Sequence, residues 1–436
     1  PEALTLGMRG MVQNTVYLEG AQVTRSQRLG EIGAGMRVAQ EAMMQGRLAI
    51  GAAAIGGIKR CAQLLLRYAS RRAISTGRLI DNPVLQDRAS AWMSAVEGLE
   101  GLVARIAAEL DAGRPVPVDA YVVCKVAGAE WLWRAADDLV QFLGGRGYIE
   151  TNIAAQLLRD ARVARILEGP TEPLTMFLGS RAINDNAGLR QWLEAAGASS
   201  VARRLAEAAE EIAGRSVASP RYGGATEARR WAYALIGQVA VDAMLLAETQ
   251  VNGRWRPWAE ERFEAAIAAA RQRAGSTGVS LDAADLSAAI ERYHSSIGDI
   301  EQTLAGEDDQ LDPLLRRASA KSPRVPAVPE PAPAPAPALG AVSADASGAE
   351  PIDTAAIERF IVRWLAKELK LPEGSVDPKR FFFDYGLDSV TAVMLVARLE
   401  EWLRIEVNPE LPYEVPVIAR FAAEVARRQA AGSSRA

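Results

Sequence analysis

Apolar residues recur at three- and four-residue spacing through 36–72, 83–112, 117–143 and 152–167, the period of helices that bury one face. Ahead of them, residues 1–30 alternate polar and apolar positions (Thr15, Val16, Tyr17, Leu18). Gly7, Gly10, Gly20 and Gly30 interrupt this segment, a pattern that predicts strand and turn. Small residues crowd 48–57, from Ala49, Gly51 and Ala52 to Gly56 and Gly57. Glycine weakens a helix, so such a run implies that another backbone approaches closely. Residues 187–318 keep a helical pattern but carry more charge and are broken at Gly223-Gly224 and Gly253. Between 319 and 351 proline and alanine dominate, including Pro329 to Ala338. Proline fixes its own φ and lacks a donor, so this stretch is expected to be an extended linker, reaching roughly 90 Å over 321–350. Beyond it, Ile357, Ile361, Leu365 and Leu369 mark one helical face, and Val393, Leu395, Val396 and Leu399 another.

Composition narrows the class. Apolar residues make up 49% and charged residues 24% of 436, ordinary for a soluble globular chain. A net charge of -4 provides no basic field for nucleic acid or an anionic membrane. The longest uncharged apolar run, Leu48 to Ile58, is too short to span a bilayer. Cys61 and Cys124 lie in helical patterns and read as buried small hydrophobes, so a cytoplasmic protein is expected. No metal site is expected. His294, the single histidine, would have to anchor any Ser-His triad, and it reads instead as surface or helix packing.

The string Phe382-Phe383-Asp384-Tyr385-Gly386-Leu387-Asp388-Ser389, with Leu411-Pro412-Tyr413-Glu414-Val415-Pro416-Val417-Ile418 downstream, resembles the acyl carrier domains of polyketide and lipopeptide assembly lines. The resemblance covers 352–432. Ser389 falls where a helix should start, and free N–H groups there favour an incoming phosphate. The resemblance implies that Ser389 carries phosphopantetheine, that Asp388 assists the phosphopantetheinyl transferase and its metal ion, and that Leu387 packs beneath. The plain alternative is a helix N-cap.

Three further strings resemble the C-terminal part of an acyl-CoA dehydrogenase. One runs from Gly7-Met8-Arg9-Gly10 through Val16-Tyr17-Leu18-Glu19 and Leu29-Gly30 to Gly46-Arg47. The second is Gln141-Phe142-Leu143-Gly144-Gly145-Arg146-Gly147-Tyr148. The third is Arg159-Asp160-Ala161-Arg162, then Ile166-Leu167-Glu168-Gly169-Pro170-Thr171-Glu172. Consecutive glycines after a helix let backbone N–H groups approach a phosphate. The resemblance implies that Gln141, Gly144 and Gly145 contact the FAD pyrophosphate of a neighbouring subunit, and that Arg72 reaches the same FAD. A helix-ending turn and an exposed helical arginine are the plain alternatives, and Ser75-Thr76 replace the family's usual Phe-Gly. Glu168 matches the catalytic base, with Ile166 and Leu167 expected to pack around it; the alternative is a surface carboxylate before a turn. No carboxylate occurs at 42–47, where some relatives carry that base. Pro170 stands where many relatives have a threonine that bonds the cofactor.

Together these readings give a mostly α chain. Residues 1–30 would end a middle β-domain, 31–186 form the dehydrogenase helical bundle, and 187–318 a helical extension. Residues 319–351 are the linker and 352–432 a four-helix carrier. The expected function is FAD-dependent α,β-dehydrogenation of an acyl thioester held on the carrier, in polyketide, lipopeptide or fatty-acyl secondary metabolism. The alternative is an inactive oligomerisation scaffold fused to a working carrier. Expected partners are an acyl thioester, a phosphopantetheinyl transferase, an adenylating acyl-activating enzyme and a downstream synthase, in a homodimer or homotetramer. Because the family's N-terminal parts precede these motifs, the chain is not expected to hold a complete flavin site alone.

Overall fold

The computed structural model describes residues 5–11, 16–31, 35–184, 187–221, 224–276, 283–298, 353–368, 371, 374–385, 387, 389–403, 405, 407 and 411–433. The expected linker over 319–351 and Leu369 lie outside the described residues, as do the side chains of Val393 and His294.

Helix α1 (Gly35–Ala69) lays one stripe, Gly51, Ala54, Ile55, Ile58, Cys61 and Leu65, against α3 (Val118–Leu143). The small residues serve that contact. A Cβ at Gly51 would lie 2.1 Å from the Cys124 sulfur, and one at Gly128 3.0 Å from the Gly51 Cα. The expected close backbone approach is therefore real. Between them, α2 (Pro83–Asp111) starts where the Asn82 side chain accepts from the Val84 and Leu85 N–H groups, with Pro83 in the first turn. Ahead of α2, β1 (Ala73–Ile74) and β2 (Gly77–Arg78) pair antiparallel around Ser75-Thr76, the one sheet among the described residues.

Helices α4 (Ile153–Ala164) and α5 (Thr171–Ile183) complete the bundle. The next four, α6 (Ala187–Ala195), α7 (Ser199–Ala218), α8 (Ala225–Glu248) and α9 (Arg256–Ala274), share its core, which runs unbroken from Ile55 to Ala274. The joint between α5 and α8 is close: a Cβ at Gly179 would lie 1.9 Å from the Tyr233 carbonyl oxygen, and one at Gly237 1.8 Å from that of Thr175. By length and composition α1 and α8 could each cross a membrane. The apolar run in α1 is thus part of a longer eligible helix than the sequence run suggested. Here α8 is largely buried in protein, and α1 buries its stripe on α3.

The described residues of 5–31 form turns and a short 3-10 helix, Arg25–Gln27, instead of the expected strand. A strand needs a neighbour for its N–H and C=O groups, and no described segment pairs with this one. Residues 5–11 instead rest on α4. Gly7 packs against the Arg159 carbonyl, and the Met8 N–H donates to Asp160 Oδ1 at 2.5 Å.

The chain divides into two compact units. In the smaller, which draws on 1–3, 13–19 and 281–350, the described residues are 16–19, α10 (Ala283–Ile297) and Gly298. The larger contains the bundle and the carrier. The carrier comprises α11 (Thr354–Glu368), a 3-10 turn Phe382–Tyr385, α12 (Ser389–Leu403), the short α13 (Leu411–Glu414) and α14 (Ile418–Ser433). It has its own core of Ile357, Ile361, Leu365, Leu387, Leu395, Val396 and Leu399, with the Phe382 and Phe421 rings edge to face at 5.2 Å.

Candidate functional site

Glu168 stands in the loop between α4 and α5 with a left-handed backbone (φ 57°), followed by Gly169 at φ 98°. Such a conformation is unfavourable for a side-chain-bearing residue and persists where its surroundings enforce it. Three groups do so. Buried Arg47 donates from Nε to the Glu168 carbonyl at 3.2 Å. Lys125, fully buried on α3, donates to the Gly169 carbonyl and, at 3.4 Å, to that of Arg165. Glu130 accepts from Arg165 Nε at 2.7 Å and from the Thr171 hydroxyl at 2.8 Å. The turn is clamped at both ends.

The Glu168 carboxylate lies over Gly46 of α1, where an added Cβ would come within 2.7 Å of Oε1. The glycine is the space the carboxylate occupies. Ile166 and Leu167, expected to wall in Glu168, are instead 51% and 40% exposed, so they do not enclose it within this chain. They flank a turn whose backbone is spent on the clamp, which points them outward. Burial, and then the positive charge of Arg47, lower the Lys125 pKa to about 8; Glu130 and Glu172 oppose that shift. Pro170 is exposed and caps α5, while the adjacent Thr171 hydroxyl is committed to Glu130. Motif matching singled out Glu168, but Gly46, Lys125 and Glu130 as its supports went unnoticed. The charged Lys125 and Glu130 within the apolar run 120–136 were the available signal.

Arg72, Gly144 and Gly145 come together. With Tyr68, Leu79 and Phe142 they line one cavity of about 570 Å³ at the far end of α1. Gly144 ends α3 at φ 61°, and around both glycines a Cβ would meet nothing within 4 Å. That open backbone is what a phosphate requires. Arg72 is exposed beside β1, and among the described residues its guanidinium has no polar partner. Gln141, also exposed, does not line the cavity. Gly46 and Ala69 are 23 residues apart on α1, so Glu168 and this cavity are about 35 Å apart along the helix. They belong to two sites.

In the carrier, Ser389 is the first residue of α12 and Leu387 is buried beneath that turn. Asp388 and the side chain of Ser389 lie outside what the structure describes. Cys61 and Cys124 are free and buried, and burial pushes their thiols up to about 11 and about 12.

Comparison with known proteins identifies the two domains that carry these residues. The acyl-CoA dehydrogenase C-terminal domain model matches residues 33–183, and the phosphopantetheine attachment site model matches residues 359–425. The chain is 25% identical over 185 residues to the very long-chain specific acyl-CoA dehydrogenase of Bos taurus, covering 42% of this chain and 28% of that protein. It is 29% identical over 167 residues to the human short-chain enzyme, covering 38% and 40%. The chain thus spans well under half the length of these curated relatives. A solved acyl-CoA dehydrogenase from Bacillus anthracis, complexed with FAD, shares the fold at TM-score 0.50 and 18% identity, covering 70% of this chain and 60% of that one. The chain therefore combines an acyl-CoA dehydrogenase C-terminal domain, residues 33–183, with a phosphopantetheine attachment domain, residues 359–425.

Proposed function

We propose that this chain takes part in FAD-dependent α,β-dehydrogenation of an acyl thioester, with the acyl chain presented on phosphopantetheine at Ser389. The observation that carries the reading is the clamped Glu168: a carboxylate on a strained backbone held by Arg47 and Lys125, filling the gap left by Gly46. A thioester carbonyl acidifies its α-hydrogen, and Glu168 takes that proton. When bound, FAD supplies the acceptor for the β-hydride. Arg72, Gly144 and Gly145 fit its pyrophosphate, offering an open backbone and a cation on one cavity wall. Gln141 would reach it only from outside that wall. The start of α12 supplies the helix N-terminus at which the Ser389 phosphate would sit.

The separation of about 35 Å between the Glu168 turn and the cavity on one α1 supports a homodimer or homotetramer in which each chain serves two flavins. A cytoplasmic setting in polyketide, lipopeptide or fatty-acyl secondary metabolism, with an adenylating enzyme upstream and a synthase downstream, accords with the carrier motif. In the full-length, flavin-loaded enzyme, Glu168→Gln is expected to keep its flavin yet lose its bleaching by acyl thioester by at least a hundredfold. Normal bleaching would remove Glu168 from the chemistry.

A further inference from the structure

The function proposed above leaves the helical extension without a role, and one group of contacts on its helix α8 gives it one. Asp384, in the 3-10 turn that leads to Ser389, is buried at the surface of the extension. Within the carrier its carboxylate accepts from the Phe381 N–H at 3.3 Å and pairs with Arg380 at 3.4 Å. From α8 the Tyr233 hydroxyl donates to Oδ1 at 3.3 Å, and Arg229 lies 3.6 Å from Oδ2. Asn184, after α5, donates to the Asp384 carbonyl at 2.7 Å, and Arg230 of α8 lies over the Phe381 ring at 5.1 Å. Two helices thus grip one carrier turn. Those helices are themselves locked together, Gly179 against the Tyr233 backbone and Gly237 against that of Thr175.

The consequence is positional. Thr391, on the first turn of α12, lines a cavity of about 840 Å³ together with Glu368 of α11. The opposite wall is Arg37 and Met44 of α1, with Tyr121 of α3 and Phe177 of α5. Met44 is two residues before Gly46, the glycine under the Glu168 carboxylate. Tyr121 is one helical turn before Lys125, which holds the Glu168 loop.

We propose that α8 and the end of α5 are the seat of this chain's own carrier, gripping the Asp384 turn so that a phosphopantetheine thioester on Ser389 enters the cavity along α1, beside Glu168 of the same chain. The seat does not depend on the reaction; the entry of the arm rests on the proposed role of Ser389. An acidic turn gripped by arginines and a tyrosine is a polar, reversible contact, suited to a domain that must also leave to be loaded.

The test uses the full chain. Hydrogen exchange should show the segment 380–387 protected, and Arg229→Glu and Tyr233→Phe should each speed its exchange severalfold while α11 and α14 are unaffected. The two variants differ in kind: one reverses a half-buried charge, and the other keeps the buried ring. Unchanged exchange at 380–387 in both overturns the seat. For the arm, a pantetheine analogue bearing a photo-crosslinker is loaded onto Ser389 and its products are mapped by mass spectrometry. Labelling within 37–44 or 115–121, reduced severalfold by Arg229→Glu, is the expected result. Labelling confined to other surfaces, or insensitive to Arg229→Glu, overturns the delivery. A chain that cannot be loaded at all would instead refute the assignment of Ser389, and the exchange experiment would still decide the seat.

Discussion

Replacing Gly46 by alanine should make α1 more stable and the proposed reaction slower. The added Cβ would lie 2.7 Å from Oε1 and 2.8 Å from Cδ of Glu168, where ordinary contact begins near 3.4 Å. The carboxylate must then retreat by about 0.7 Å, and misplacing a reacting group by about 1 Å can cost on the order of a hundredfold in rate. The backbone effect has the opposite sign, because Gly→Ala in a helix interior stabilises by about 1 kcal/mol. The flexible end of a glutamate can yield at little cost, so the melting temperature should rise by about 2–4 °C. Thermal unfolding and stopped-flow bleaching of the flavin-loaded protein measure the two effects separately. A variant that melts higher and bleaches ten- to a hundredfold more slowly is expected. An unchanged bleaching rate would mean that the space over Gly46 is not where Glu168 works.

Other outcomes can be checked on the same protein. The Lys125 pKa falls from 10.5 in the unfolded chain to about 8 in the fold, so the unfolded chain binds the proton more tightly. Stability from this group therefore rises with pH between those two values, by roughly 3 kcal/mol in full, and Lys125→Met should remove that rise. Urea unfolding at pH 8, 9 and 10 would show it, and an identical pH slope in the variant would contradict the burial argument. Cys61 and Cys124, with thiols pushed up to about 11 and about 12, should resist a thiol reagent in the native protein and both react in denaturant. Fast native labelling of either would show that the interface between α1 and α3 opens.

Much of this architecture was legible in the chain. The spacing of apolar residues located the helices, and the small residues at 48–57 announced the approach of α3, because only such residues let two backbones come that close. Ile357, Ile361, Leu365 and Leu387 occupy the carrier core expected of them. The strand expected before residue 30 did not form, because alternation alone supplies no pairing partner. Local pattern pointed to Glu168 but not to its clamp, since Arg47, Lys125 and Glu130 are brought to it by packing over distances in sequence that no motif spans. The same holds for Asp384: its neighbours mark it as part of a carrier motif, while Tyr233 and Asn184 reach it only through the fold. Ile166 and Leu167 misled for a related reason, because an apolar residue in a turn is turned outward when the backbone is held from inside.

The central claim is that an acyl chain hung on Ser389 is oxidised by the domain that precedes it. Intact-mass analysis of the carrier, loaded with a saturated acyl-phosphopantetheine and incubated with the flavin-loaded protein, tests this directly. The account expects the mass gained at Ser389 to fall by two hydrogens, with no loading in Ser389→Ala and no loss of hydrogen in Glu168→Gln. A saturated chain recovered intact from the wild-type protein, or a phosphopantetheine mass that persists in Ser389→Ala, would contradict it.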